Sequence, residues 1–173
     1  ISAAILYTVG KSAYGYYGFG DLMVFLFFGL LSVIGVFTLY GLSFEWLTLL
    51  PAFSIGLWST AVLNLNNMRD IINDHNSGKR TLVVQLGAKQ AKRYHYCLIL
   101  LGFLCWSILL ARYIYINNNW VFLLAAIPSI FMYSHLKRVF FIVNPAQYDA
   151  ELIKVALITF SSSVFFLIAL FSV

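Results

Sequence analysis

The residues best placed to do chemistry lie in one stretch of the chain, residues 64–87, NLNNMRDIINDHNSGKRTLVVQLG. Asn66, Asp70 and Asp74 recur every four residues, so on a helix they stack along one face. Asn67 borders that stripe, Ile71 and Ile72 give the segment apolar surface to pack, and Gly78 can close the helix in a left-handed cap just before Lys79 and Arg80. Two carboxylates one turn apart repel each other, and each is costly to desolvate near lipid. A hard divalent cation removes that repulsion. Mg²⁺ prefers oxygen ligands and takes one or two carboxylates together with substrate phosphates. Lys79 and Arg80 then meet the remaining phosphate charge, Arg as a planar fork and Lys as a point charge. The spacing therefore predicts a Mg²⁺–diphosphate site at a membrane surface, for a substrate whose tail lies in the bilayer. The plainer reading of Asp and Arg at a span end is a solvated cap with a positive anchor, but a cap needs no polar stripe three turns long.

The elements that position this segment follow from composition. Of 173 residues 62% are hydrophobic and only 10% charged, and the mean hydropathy is +0.88. Soluble domains carry roughly a quarter charged residues, so lipid is the solvent here. A spanning helix needs about 20 mainly apolar residues. Five such stretches are predicted, at residues 22–40, 47–65, 96–116, 120–136 and 155–171, and residues 1–9 read as the tail of a sixth. The apolar runs are continuous rather than alternating, which excludes the wall of a β-barrel. The expected fold is all-α, a polytopic transmembrane bundle of five spans plus an N-terminal stub, forming a single membrane domain over residues 1–173. Gly29 and Gly35 are expected to let helices approach, and Pro128 to kink its span. Ten of the eleven Lys and Arg residues fall in connections on one side, with Arg112 alone opposite. That side is expected to face the cytoplasm. Asp21, Asp70, Asp74, Asp149 and Glu151 share it, so any carboxylate site opens there. Cys97 and Cys105 lie in one apolar run and read as packing residues rather than a disulfide framework. Lys89, Lys92 and Arg93 read as membrane-surface anchors, not as a nucleic-acid patch.

Residues 66–82, Asn-Asn-Met-Arg-Asp-x-x-x-Asp-x-x-x-Gly-Lys-Arg-Thr-Leu, resemble the second aspartate-rich motif of the UbiA superfamily of intramembrane prenyltransferases, most nearly its menaquinone branch. Three other places are similar to that branch. Tyr7-Thr8-x-Gly10 with Tyr14, Gly18, Gly20 and Asp21 matches a loop, residues 24–29 match the start of the helix after it, and residues 82–87 continue the motif, with Gln85 where a basic residue is common. The resemblance implies a nine-helix bundle with two aspartate-rich motifs facing each other across a central cavity. Only the second occurs here. The chain is accordingly expected to be a C-terminal fragment, lacking the N-terminal helices and first motif, inactive alone and dependent on the missing part for a complete site.

The resemblance also implies a reaction. A polyprenyl group passes from its diphosphate to 1,4-dihydroxy-2-naphthoate, with decarboxylation, in menaquinone biosynthesis at a bacterial inner membrane, with the site facing the cytoplasm. Mg²⁺ is the implied cofactor. The expected assignments are Asp70, Asp74 and Lys79 as catalytic residues, with Asp70, Asp74 and Asn66 at the metal. Asn66, Asn67, Arg69, Arg80, Lys11 and Tyr14 are expected at the substrates. Arg69 lies off the stripe and either pairs with an acid or binds the acceptor carboxylate. Asp21 is a candidate helix cap, His95 and His135 are expected at the interface, and Tyr94, Tyr96, Trp46 and Trp120 in the aromatic belt. Two other readings stay open: a related prenyltransferase with another aromatic acceptor such as 4-hydroxybenzoate, and a transporter or channel whose ion path Asp70 and Asp74 line.

Overall fold

Continuous apolar stretches with internally satisfied backbones are what lipid requires, and helices are what forms. The structure, a computed structural model, describes residues 14–41 and 44–173. After a 3₁₀ turn at Tyr14–Tyr17 come six helices among the described residues: α1 (Gly20–Leu39), α2 (Trp46–Arg69), the short α3 (Ile71–Asn76), α4 (Leu82–Asn117), α5 (Trp120–Phe141) and α6 (Pro145–Leu170). All except α3 are long and apolar enough to cross a membrane, and the protein is an integral membrane protein. The five spans stand where hydropathy puts them, but four run further. α2 reaches Arg69, α4 starts at Leu82 with a kink at Gly87 (φ +76°), α5 runs to Phe141 and α6 starts at Pro145. The polar extensions carry the functional segment. The expected stub at residues 1–9 lies outside the described residues.

The central element is α2, which packs against α1, α4 and α6. Its approach to α1 is backbone to backbone. A Cβ on Gly29 would fall 2.6 Å from the Gly56 Cα and 2.6 Å from the Ala52 carbonyl oxygen. Gly35, the other glycine expected to serve packing, would meet only Leu31, at 3.9 Å. Residues Phe25–Leu31 take a π-helical pitch just where α1 meets α2. Against α4 the fit is different. Gly102 leaves the space that the Trp58 indole fills, and Trp58 meets Trp106 with the rings tilted by 52° and their centres 5.7 Å apart. Buried indoles need acceptors. Trp106 donates to the Ala125 carbonyl at 3.1 Å, and Trp58 is 3.4 Å from that of Ile99.

Two expectations change. Pro128 does not kink a continuous helix, because Trp120–Ala126 is 3₁₀ and the α-helix starts at Ile127, with proline in its first turn, where no N–H is needed. His95 and His135 are not interfacial. Both are fully buried, joined Nε2 to Nε2 at 2.7 Å, and His135 Nδ1 lies 2.7 Å from Glu151, which Lys154 also reaches at 2.7 Å. This chain ties α4, α5 and α6 together. Lys92 adds a tie by donating to the Phe140 and Ile142 carbonyls at the end of α5.

Two outcomes test this packing in the full-length protein in detergent. Gly29→Ala should lower stability by about 1–3 kcal/mol through overpacking against backbone, while Gly35→Ala leaves it unchanged; equal melting temperatures for the two variants would refute the close approach. Glu151→Ala strips partners from buried His135 and from Lys154 and should cost about 3–5 kcal/mol, read from the denaturation midpoint. An unchanged midpoint would show that the buried chain does not hold the three helices together.

Candidate functional site

The site is built where α2 ends. Asp70 leaves helical geometry (φ −94°, ψ 7°), splitting the expected single helix into α2 and α3. The hydrogen-bond ladder nevertheless continues across the break. The Asp70 N–H donates to the Asn66 carbonyl at 3.1 Å, and the Asp74 N–H to the Asp70 carbonyl at 2.8 Å. The stripe therefore survives, and Asn66, Asn67, Asp70 and Asp74 line one cavity of about 210 Å³. Gly78, at φ +77°, ends α3 as expected, and the Lys79 N–H returns to the Asp74 carbonyl at 2.9 Å. That turn brings Lys79 into the same cavity. Thr81 then caps α4 by accepting from the Val84 N–H at 3.3 Å.

Each carboxylate of the stripe has its own cation. Arg69 forks Asp70, Nε to Oδ1 at 2.9 Å and Nη2 to Oδ2 at 2.6 Å. The same Nη2 donates to Asn66 Oδ1 at 2.8 Å, and Nη1 reaches Asp149 of α6 at 2.6 Å. Lys79 Nζ lies 3.1 Å from Asp74 Oδ1 and 5.5 Å from the centre of the Tyr16 ring. Hydrogen bonding to the Arg69 guanidinium, with the charges of Arg69 and Lys79, holds the Asp70 carboxyl below its usual range. The Asp74 carboxylate in turn raises the Lys79 ammonium.

The remaining wall comes from the segment before α1 and its first residue. Gly15, Tyr16, Gly18 and Gly20 line the cavity. The Arg80 N–H donates to the Tyr16 carbonyl at 2.7 Å, and the Arg80 carbonyl accepts from Gln85 at 2.7 Å. Gly18 sits at φ +88°, and a Cβ there would lie 2.6 Å from the Gln85 amide nitrogen. A second, apolar groove of about 580 Å³ runs between α1, α2 and α6. Val24, Phe28, Val62, Leu152 and Phe160 line it, and it shares Leu63 and Asn66 with the polar cavity.

Of the residues expected at the site, Asn66, Asn67, Asp70, Asp74 and Lys79 line the cavity. Arg69 stands beside it, holding Asn66 and Asp70. Arg80 hydrogen-bonds through its backbone to Tyr16 of the wall, while the residue itself is exposed and does not line the cavity. Lys11 lies outside the described residues. Tyr14 opens the 3₁₀ turn, and its side chain also lies outside the description. Two carboxylates were not expected here. Asp149 completes the Arg69 clamp, and Asp21 does not cap α1 but is buried in the cavity wall. The signals in the sequence were its place in the family-like Gly-rich loop before an apolar run and its position on the same side as Asp70 and Asp74.

The profile of the UbiA prenyltransferase family matches residues 1–158. The chain belongs to this family. It is 48% identical over 126 residues to the 1,4-dihydroxy-2-naphthoate octaprenyltransferase of Escherichia coli K12, a stretch covering 73% of this chain and 41% of that enzyme. It is 44% identical over 137 residues to the Haemophilus influenzae enzyme of the same name, covering 77% of this chain and 44% of that one. Human UbiA prenyltransferase domain-containing protein 1 is 31% identical over 109 residues, covering 63% of this chain and 32% of that protein. The chain thus spans less than half the length of these relatives. No solved structure matches it.

The Arg69–Asp70 pair gives this UbiA-family site a definite pH signature. Asp70 ionises more readily folded than unfolded, so its stabilisation is present above the ordinary carboxylate pKa of 3.8 and is lost as pH falls through the depressed value. The stability difference between wild type and Arg69→Gln should be constant near neutrality and shrink only below about pH 4. Thermal melts from pH 7 to 3 measure it, and a difference that already vanishes at pH 6 would refute the pairing.

Proposed function

We propose that the full-length protein transfers a polyprenyl group from its diphosphate to 1,4-dihydroxy-2-naphthoate with loss of the ring carboxylate. The observation that carries this reading is the junction of a carboxylate- and cation-lined cavity with an apolar groove at Leu63 and Asn66. A diphosphate with a long hydrocarbon tail matches that pairing of surfaces. The names of the bacterial relatives support the acceptor and the octaprenyl donor.

The donor set suits Mg²⁺. Asn66, Asp70 and Asp74 present hard oxygen atoms from successive turns around one cavity. Among the described residues no group of three His, Cys, Asp or Glu could hold a metal alone. Substrate phosphate oxygens, water and the opposing aspartate-rich motif, which these 173 residues do not contain, would complete the coordination. Mg²⁺ bound there would neutralise charge developing on the leaving diphosphate. Arg69 keeps Asp70 and Asn66 oriented, through Asp149, so little reorganisation is needed when substrate arrives. Lys79 can turn from Asp74 to a phosphate oxygen. The Tyr16 ring beside it offers an electron-rich face to a developing cation. The basic side of the bundle faces the cytoplasm of a bacterial plasma membrane, where the soluble acceptor arrives.

The test is an assay of the full-length protein in membranes with Mg²⁺, a polyprenyl diphosphate and 1,4-dihydroxy-2-naphthoate, with 4-hydroxybenzoate in parallel. Prenylated, decarboxylated naphthoate is the expected product. Asp70→Ala and Asp74→Ala should each abolish turnover in an inserted protein, and Lys79→Met should lower it about 10²–10³-fold by removing one charge partner of the leaving group. Product from 4-hydroxybenzoate alone would move the acceptor assignment, and full activity in both Asp variants would overturn the site.

A further inference from the structure

Among the described residues, Asp21 is the one carboxylate of the cavity wall without a cation partner. It lies in the first turn of α1 and is 5% exposed. It makes no capping hydrogen bond. It lines the cavity with Asn66, Asp70, Asp74 and Lys79. Tyr94 of α4 hydrogen-bonds to its carboxyl, while Oδ1 is buried with no donor among the described residues. Thr60 of α2 reaches only its backbone carbonyl, at 3.4 Å. An acceptor oxygen left without a donor is expensive, and this one belongs to a residue in the wall of the polar cavity. Asp21 does not join Asp70 and Asp74 in a three-carboxylate metal cluster, since no such group exists among the described residues. What it lacks is a neutral O–H donor, and a dihydroxy-arene carries two.

We propose that Asp21 is the base of the reaction, its free oxygen receiving the proton of the acceptor hydroxyl next to the carbon that is prenylated. This rests on the acceptor class proposed above. The allylic C–O bond breaks and the diphosphate leaves with the electron pair. As the hydroxyl proton passes to Asp21, the ring's electron pair forms the new C–C bond at the carboxylate-bearing carbon, and the ring oxygen becomes a carbonyl. The intermediate is a β-keto carboxylate. Its C–CO₂⁻ bond breaks, CO₂ leaves, and the electron pair returns to the carbonyl oxygen as an enolate. That enolate recovers the proton from Asp21. The cycle closes with no net proton taken from water, which suits a group sealed at the base of a helix. The charged and titratable groups around Asp21 are Tyr94 from α4, Tyr16 from the turn before α1, and Asp70, Asp74 and Lys79 across the cavity.

The experiment compares the full-length wild type, Asp21→Asn and Asp21→Glu with Mg²⁺, a polyprenyl diphosphate and 1,4-dihydroxy-2-naphthoate across pH. For Asp21→Asn, kcat should fall about 10²–10⁴-fold. The Mg²⁺ requirement and the KM for the diphosphate should not move. The loss should shrink as pH rises and the acceptor hydroxyl ionises in solution. Asp21→Glu, which keeps a carboxyl, should restore measurable turnover with the wild-type pH profile. If Asp21→Asn does not fold, the glutamate variant decides: the wild-type profile supports the base, and loss of turnover in a folded protein overturns it. A loss equal at every pH marks a structural role, and a raised Mg²⁺ requirement marks a cation ligand; either overturns the proposal. Wild-type turnover with an unaffected Asp21→Asn sinks only this inference, whereas a wild type inactive on the naphthoate sinks the reading it rests on.

Discussion

Everything at the polar end of this bundle depends on neutralising carboxylates one turn apart beside a bilayer. Two like charges that close need cations beside them. Arg69 and Lys79 supply them from opposite ends of the short helix α3, one preceding it and one following it. The Arg69 guanidinium spreads its donors over Asn66, Asp70 and Asp149. One side chain thus fixes the two ends of the stripe's first turn and fastens them to α6. The Lys79 contact is of another kind, a single point charge on a flexible stem. On the proposed reading, the rigid fork holds a ligand set in place and the mobile ammonium is free to change partners when phosphate arrives.

The bundle behind the site is organised to make that end stiff. α2 is held from three sides by three different means: bare backbone at Gly29 and Gly56 toward α1, interlocked indoles at Trp58 and Trp106 toward α4, and the Arg69–Asp149 pair toward α6. Lipid gives no hydrophobic drive for helices to associate, so close packing and interhelical hydrogen bonds have to do it. The His95–His135–Glu151 chain follows the same logic on the far side of α4. Its two links, His95 to His135 and His135 to Glu151, run between different helices, where the alternative for each polar group would be hydrocarbon.

How much of this could be read from residues alone depended on sequence distance. The Asn66–Asp70–Asp74 stripe and the Gly78 cap are local patterns, and both stand in the fold. The break at Asp70 was not legible, because the i to i+4 bonds persist through it and the spacing looks the same with or without a kink. Pro128 was misread because hydropathy marks where a span lies but not where 3₁₀ gives way to α. His95 and His135 are 40 residues apart, each near a span end where an interfacial place is the ordinary expectation; only tertiary packing of α4 on α5 buries them together. Asp149 was visible as a charge on the right side of the membrane but not as the partner of Arg69, 80 residues away.

Asp21 belongs to the same class of long-range fact, and its position gives the cavity a division of labour. The carboxylates with cation partners, Asp70 and Asp74, come from the end of α2 and from α3. The carboxylate without one among the described residues comes from α1 and is held by Tyr94. A site that must hold a polyanion and activate a neutral hydroxyl needs both kinds. Carboxylates already paired to cations are poor bases, because ion pairing stabilises their charged form. A sealed carboxylate oxygen with no donor is the opposite case, ready to accept a hydrogen bond from the first suitable group that enters. On the proposed reading, the donor's diphosphate is met at the charged wall, its tail runs into the apolar groove beyond Leu63, and the acceptor ring is left to the wall that Asp21 occupies. On the same reading, leaving-group chemistry and ring chemistry belong to different walls of one space, so each would be disabled by substitution without disabling the other.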